Sequence, residues 1–473
     1  MRRNSALLNK LDWTTVGLYL LLILIGWISI YAAAYNEAHP NIFDLSQRYG
    51  MQLIWMASSI ILAMIVMTID HKFFSVFAYI MYSVIILLLI LILFAGTEVN
   101  GSRSWLVIGP FRLQPAELSK VATSLALAKL ISQHSFKIHS FTNLVKIAFI
   151  IGLPVLLIFL QHDAGSALVF SALLIMLYRE GISGWFVSIA AFTAILFILA
   201  IIWEPLSVFL FLWLISLLAY AMLNRSFKYA IAAGGLSIGL YFFLTRALLP
   251  YFELNDFFPD RIFLLICAAS LIIGAIFALK KKIRYFWPVL LFFTGSVFIA
   301  SSVDYMFDNM LKPHQRARIE DMLGLQEDLK GAGYNVHQSK VAIGSGGVVG
   351  KGFLQGTQTR YNFVPEQSTD FIFCTIGEEW GFMGTLFVIV IYILLLLRII
   401  RISERQRDLF ARIYGYCIMS ILTFHVVVNI AMTIGLAPVI GIPLPFISYG
   451  GSSLWAFTLM LFILLKFDAV KWN

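Results

Sequence analysis

Charge is scarce in this 473-residue chain: Asp, Glu, Lys and Arg make up 12% of it, against 60% hydrophobic residues and a mean hydropathy of +0.88. A soluble globular domain carries about 25% charged residues, so a water-soluble fold is excluded. The net charge of +9 is then read as a topology signal rather than as affinity for nucleic acid. Cysteine is almost absent. Cys267, Cys374 and Cys417 each lie in an apolar run, are odd in number and lack metal-ligand spacing, which excludes a disulfide framework and a cysteine metal site. There is no internal repeat of useful strength and no low-complexity segment. No small-residue cleavage site follows the first apolar run, which is also too long for a signal peptide, so it reads as an uncleaved span.

What the chain does have is apolar runs. A helix needs about 20 such residues to cross the hydrocarbon. The candidates number about 14: 16–34, 51–69, 77–95, 116–133, 144–160, 165–180, 184–203, 206–223, 229–248, 262–279, 285–303, 370–397, 412–436 and 450–466. The expected class is an all-α polytopic membrane bundle. With the N-terminus inside, the inside loops collect Arg2, Arg3, Lys10, the KKKIR cluster at 280–284, Arg398, Arg401 and Arg405, while the short outside loops hold few positives. That alternation puts both termini in the cytoplasm and residues 304–369 outside. The expected organisation is a transmembrane core at 1–203, further helices at 204–303, an extracytoplasmic loop at 304–369 and a second core at 370–473.

The polar residues concentrate in a few places. The 304–369 stretch is the one long polar loop, and loops beyond about 15 residues are uncommon unless functional or disordered. Its Tyr, Phe and Gly turns are not the composition of a tether. Upstream, NGSRSWLVIGPFRLQPAELSK enters a span with Glu117 and Lys120 three apart on one face. Two readings stand: a functional pair lining a cavity, or a self-neutralising anchor. Asp163, embedded between apolar runs, reads equally as an intramembrane functional acid and as a helix N-cap. The run GSGGVVGKG at 344–352 fails the phosphate-loop pattern, because Ser345 and Gly352 stand where Gly and Ser or Thr are needed. It also fails the dinucleotide pattern at Val349. An anion-holding backbone nest or a plain turn remains. Ser368, Thr369 or Asp370 reads as a cap for the next span, with Glu378 and Glu379 further in. His425 and Asn429, at i and i+4, read as a helix–helix polar contact. GLAPVIGIPLPFISYGGSS breaks the backbone between two spans, which a membrane tolerates only where the break is buried in protein or lines a cavity.

Taken together, NGSRSWLVIGPFRLQPAELSK, QHDAGSAL, GAGYNVHQSKVAIGSGGVVGKG, FVPEQSTDFIFCTIGEEWGFMG and GIPLPFISYGGSS resemble the shape, elongation, division and sporulation family of polytopic peptidoglycan glycosyltransferases. GKGFLQGTQTRYNFVPEQSTDFIF resembles the RodA branch more than the FtsW branch. The resemblance covers about 10–200 and 310–470. The four helices near 203–303 have no counterpart in the pattern, and their even number keeps the loop outside. The family's Asp-Pro pair is replaced by Gly324-Leu325, and Leu329 follows Asp328. Gly331-Ala332-Gly333-Tyr334 fixes the register.

The resemblance implies polymerisation of lipid II into β-1,4-linked glycan during cell elongation. Undecaprenyl diphosphate leaves and Asp328 acts as general base, with Glu327 next if the register slips. It implies substrate contacts at Arg103, Trp105, Glu117, Lys120 and Asp163. In the loop it implies them at Arg316, Arg318, Gln338 and Ser339, and at the next span at Glu366, Thr369 and Asp370. The leaving diphosphate would meet positive charge from Lys120, Arg316, Arg318 or Arg103. No cofactor is certain; a magnesium or manganese ion on the diphosphate is compatible with the resemblance. The implied partners are lipid II, a class B penicillin-binding protein and other elongation proteins, at the bacterial plasma membrane. The rival class is a lipid II flippase, since broken helices and intramembrane charges suit transport as well. A third is a scaffold that only binds partners.

Overall fold

Within hydrocarbon a backbone can satisfy its own N–H and C=O groups only as a helix or a closed barrel, and the long apolar runs fold accordingly. The computed structural model describes residues 10–35, 41–99, 102–108, 111–248, 259–283, 285–309, 333–361 and 363–470. Arg316, Arg318, Glu327 and Asp328 lie outside the described residues.

Along the chain come α1 (Trp13–Ala34), α2 (Arg48–Thr68), the short α3 (His71–Val76) and α4 (Ala78–Ala95). Three strands follow, β1 (Thr97–Val99), β2 (Ser102–Ile108) and β3 (Phe111–Leu113), then α5 (Pro115–Ile131), α6 (Phe141–Leu160), α7 (Ala164–Val169) and α8 (Leu173–Arg179). Next are α9 (Gly184–Ile202), α10 (Pro205–Asn224), α11 (Phe227–Phe243), α12 (Pro259–Lys281) and α13 (Phe286–Asn309). The chain ends with α14 (Tyr334–Ser345), α15 (Thr357–Arg360), α16 (Ile372–Glu404), α17 (Leu409–Thr433) and α18 (Gly451–Val470). Every expected span contains helix, and 11 described helices are long and apolar enough to cross a membrane. The 165–180 span is interrupted: a 3-10 turn at Phe170–Ala172 joins α7 to α8. At 17 residues, α5 is short, with Pro115 at its first turn, where a missing N–H costs little.

The small sheet departs from an all-helical expectation. Its order is β1-β2-β3, all antiparallel, with Val99 opposite Ser102 and Ile108 opposite Phe111. The sequence carries the reason: Val, Trp, Ile and Phe favour a pleated surface, and Asn100-Gly101 is the strongest short hairpin signal.

Contacts divide the chain into Met1–Ser183 with Glu327–Asn473, and Gly184–Gln326. In the first unit nearly every residue of α5, and most of α17 and α18, is buried, while α2 and α4 expose isoleucine and leucine on their outer faces. The second unit packs α9, α10, α12 and α13 around Leu196, Leu212, Trp213, Phe263 and Phe293.

Candidate active site

Helix ends of the first unit meet at one end of the bundle, among them the C-termini of α1, α6 and α17 and the N-termini of α2, α5, α7, α16 and α18. Asp163 caps α7, and both of its oxygens are engaged. Oδ1 accepts from Ser166 N (3.0 Å), and Oδ2 accepts from Ser166 Oγ (2.9 Å) and Gln114 Nε2 (2.8 Å). Gln114 N in turn donates to Ser452 Oγ (3.1 Å), whose hydroxyl donates to Arg112 O (3.0 Å). The starts of α5, α7 and α18 are thus tied together. Arg103 reaches the same cluster only through its backbone, donating from N to Gln161 O (3.0 Å); its guanidinium is exposed, 3.5 Å from Glu98. Trp105 is half-buried on β2, opposite Thr97.

One turn into α5 lies a fully buried charge. Lys120 Nζ donates to Glu117 Oε2 (2.7 Å) and to His425 Nε2 (3.0 Å), and sits 5.3 Å from the centre of the Phe457 ring. His425 Nδ1 lies 3.1 Å from Pro443 O. A carbonyl can only accept, so Nδ1 carries the proton and Nε2 is free to accept from the lysine. The ammonium has no face open to solvent, its side chain being 0% exposed. Four groups are joined in one line: acid, amine, imidazole and a carbonyl of the broken segment.

That segment, 435–450, is threaded through the interior. Asn429 Nδ2 donates to Ile442 O (2.7 Å) and Asp370 O (2.9 Å). Ser448 Oγ donates to Thr369 O (2.6 Å) and accepts from Leu444 N (2.8 Å), Tyr392 OH donates to Pro445 O (2.5 Å), and Tyr449 N donates to Ser368 O (2.9 Å). The carbonyls of Ile442, Pro443 and Pro445 and the N–H groups of Leu444 and Tyr449 thus have partners, as a buried break requires. Thr369 and Asp370 are therefore held at this end through their carbonyls. The expected side-chain cap of α16 is not formed: Phe371 takes the N-cap position without a capping bond, because the turn at Glu366, whose φ is +50°, closes on its own carbonyl. Glu366 sits 3.5 Å from Arg48 and accepts from Thr369 Oγ1 (3.1 Å). On α14, Ser339 Oγ donates to Thr433 O (2.8 Å) and is buried, while Gln338 is half-buried.

The glycine-rich run is neither nest nor loose turn. Lys351 N and Gly352 N donate to the carbonyls of Glu378 and Glu379 (both 3.0 Å), and Gly350 N donates to Gly346 O (2.8 Å), which uses the N–H groups a nest would offer an anion. α16 kinks at Gly381 (φ +64°) to meet it. Glu378 locks the arrangement: Oε1 accepts from Lys351 Nζ (2.7 Å) and Gln358 N (2.9 Å), and Oε2 accepts from Thr359 N (2.9 Å) and Thr359 Oγ1 (2.8 Å).

Among the described residues no group of three His, Cys, Asp or Glu side chains is placed to hold a metal ion. Of the acids at this end, Asp163 is engaged by Ser166 and Gln114, and Glu366 by Thr369 and Arg48.

The family model for cell cycle proteins that unites FtsW, RodA and SpoVE matches residues 12–242 and 258–471. The chain belongs to this family. Among curated FtsW/RodA/SpoVE relatives, the peptidoglycan glycosyltransferase RodA of Treponema pallidum is 31% identical, over 98% of this chain and 98% of its own length. The peptidoglycan glycosyltransferase MrdB of Escherichia coli is 28% identical, over 94% of this chain and 92% of its own. The fold is also that of solved members. A chain from a peptidoglycan synthase complex that coordinates polymerization and crosslinking superposes with a TM-score of 0.60 at 23% identity, covering 98% of this chain and 99% of that one. The rod shape determining protein RodA of Thermus thermophilus gives 0.56 at 21%, with 98% of each chain covered. The matched spans take in most of residues 204–303, which the sequence reading set apart from the family pattern.

Gln114, Ser448 and Ser452 are among the polar groups of this end that sequence reasoning passed over. Each is an uncharged residue beside a proline or glycine break, and only the crossing of distant segments gives it a role.

Proposed function

We propose that this FtsW/RodA/SpoVE protein is a peptidoglycan glycosyltransferase that joins lipid II units into β-1,4-linked strands during elongation. The observation that carries the reading is the end-to-end match to the Treponema pallidum enzyme of that name. The loop at 304–369 faces the outside of the plasma membrane, with both termini in the cytoplasm, in keeping with the positive-inside pattern. A sugar hydroxyl is a poor nucleophile at neutral pH. The Asp328 carboxylate takes its proton, an assistance worth about 10²–10⁴-fold, as the oxygen attacks the anomeric carbon. That carbon inverts and undecaprenyl diphosphate leaves. Positive charge where the leaving group gains negative charge comes from Arg103, Arg316 and Arg318. Asp163, Glu366, Thr369, Asp370, Trp105, Gln338 and Ser339 belong to the same end and shape the substrate channel. Lys120 acts through His425 on the Pro443 carbonyl instead of touching the diphosphate. A class B penicillin-binding protein is the proposed partner, in keeping with the likeness to a chain of a synthase complex.

The test is reconstitution with lipid II. Asp328→Ala is expected to abolish polymer while lipid II still binds, and full polymerisation by that variant removes the assignment. One observation favours the second reading, lipid II transport: the unwound 435–450 backbone inside the bundle, a feature of transporter sites. Fluorescent lipid II in liposomes separates the two, since labelled polymer means enzyme and leaflet exchange without polymer means flippase.

A further inference from the structure

The other end of the first unit holds a cleft that the polymerisation reading does not use. It is a shallow, open cleft of about 700 Å³ between the start of α1 and the end of α16, lined by Lys10, Leu11, Asp12, Trp13, Thr14, Arg398 and Arg405. Its back wall is a buried acid. Asp12 caps α1 by accepting from Thr15 N (3.1 Å), and its side chain is 2% exposed. Arg398 binds both Asp12 oxygens through Nε (3.2 and 3.1 Å) and Oδ2 through Nη2 (2.8 Å). Arg405 joins from the other side, giving Nη2 to Asp12 (3.0 Å) and Nε and Nη2 to Asp468.

Each guanidinium thus spends its Nε and Nη2 on carboxylates and is fixed in direction. The Nη1 groups of both, two N–H bonds each, have no protein partner among the described residues, and the two side chains stay 26% and 32% exposed. Arg401, three residues after Arg398 and four before Arg405, shares their helix face and is exposed. Three cations, Lys10, Arg398 and Arg405, line the cleft against the Asp12 and Asp468 carboxylates. Rigid guanidinium edges are the groups that recognise phosphate oxygens in pairs. The surroundings are those of a membrane surface. Trp13 is 59% exposed at the helix start, where indole rings favour the headgroup level, and both helices continue with exposed leucines, Leu20 and Leu24 on α1 and Leu394 and Leu397 on α16.

We infer that this cleft binds the phosphodiester headgroup of an anionic membrane lipid, held by the Nη1 edges of Arg398 and Arg405 with Lys10 and Trp13 at the rim. Basic pockets between helices are established lipid-headgroup sites in general. The site is independent of the polymerisation reading and would stand if that reading failed.

Full-length protein in nanodiscs of phosphatidylcholine, doped with phosphatidylglycerol, tests it by native mass spectrometry of retained lipid. The wild type is expected to keep phosphatidylglycerol over phosphatidylcholine. R398K with R405K keeps cations beside Asp12 and Asp468 but loses the guanidinium edges. It is expected to lower phosphatidylglycerol retention about tenfold while phosphatidylcholine retention stays the same. The weaker carboxylate pairs, and the lower melting temperature they cause, would not move that ratio. Equal retention of the two lipids by the wild type, or equal phosphatidylglycerol retention by the variant, overturns the proposal. Displacement of the lipid by millimolar inorganic phosphate would make the ligand a soluble anion and overturn it too. A readout that needs no variant is photo-crosslinking with a headgroup-labelled anionic lipid: labels are expected at 10–13 and 398–405, and labels elsewhere only would sink the idea.

Discussion

The two units are built of equally apolar helices and held together in different ways. In the first, backbone meets backbone. A Cβ on Gly26, Gly165 or Gly350 would come within 2.7, 2.0 and 2.1 Å of a main-chain atom of a distant segment. In the second, Gly235, Gly239 and Gly295 have nothing within 4 Å of that position, and Gly234 and Gly274 meet only movable side chains. The first unit buries Glu117, Lys120, Glu378 and Glu379, whereas the buried polar side chains of the second are, among the described residues, serines. Close approach and buried charge both narrow the arrangements a chain can adopt. Such cost belongs where chemistry needs fixed geometry; the described helices of the second unit rest on shape and apolar contact.

The sharpest way to break this comparison is to empty one buried charge. Lys120→Met would leave the Glu117 carboxylate in the core without its cation, a loss of about 3–5 kcal/mol. Thermal melts of the detergent-solubilised protein should show it as the largest drop of any single change proposed. Adding Glu117→Gln removes the orphaned charge and should restore most of the melting temperature. Polymerisation by that double variant then decides the role of the pair: a stable but inactive protein assigns Lys120 to positioning, and a stable, active one reduces the pair to packing.

Next in size is a methyl group. Gly350→Ala must relieve a 2.1 Å approach to the Glu379 carbonyl and hold alanine at φ +88°. Overpacking costs roughly 1–3 kcal/mol, and a left-handed conformation adds about 1–2 kcal/mol. The matched change in the other unit, Gly239→Ala, sits mid-helix in open space and should be neutral or gain about 1 kcal/mol from helix propensity. Melting both variants side by side sharpens the contrast, and equal shifts would erase it.

How far the sequence foretold this depends on the range of the interaction. Helices were legible because an apolar run reports its own environment. The cap of α7 was legible as one of two readings of Asp163, because capping acts over three residues; Asp12 caps α1 by the same local rule and was passed over. The sheet between α4 and α5 was also written locally, in Asn100-Gly101 and its flanking β-formers, but hydropathy masks a short strand beside long spans. The glycine run was ambiguous because its partner, Gly377–Gly381, lies some thirty residues on, and no local rule says which backbone a glycine will meet. The Lys120–His425 contact spans 305 residues. Each end was visible as a polar residue on an apolar helix, and only the fold could pair them. Asp328 was assigned by resemblance alone and stays a matter for the lipid II assay.

The smallest expected effect tests the other side of the contrast. Ser237 Oγ donates to Ala233 O (2.7 Å) and lies 3.1 Å from Ser270 Oγ, joining α11 to α12. In a membrane, interhelical hydrogen bonds of this kind average about 0.6 kcal/mol. Ser237→Ala should sit near that figure because Ser270 is not stranded by it: a helical serine can turn its hydroxyl onto the carbonyl one turn back. Glu117 has no such retreat once Lys120 is gone, since a buried carboxylate cannot donate to a carbonyl. The second unit therefore tolerates loss of its polar contact because both hydroxyls can fall back on their own helices. A melting shift for Ser237→Ala approaching that of Lys120→Met would mean that this unit, too, is held by specific polar geometry.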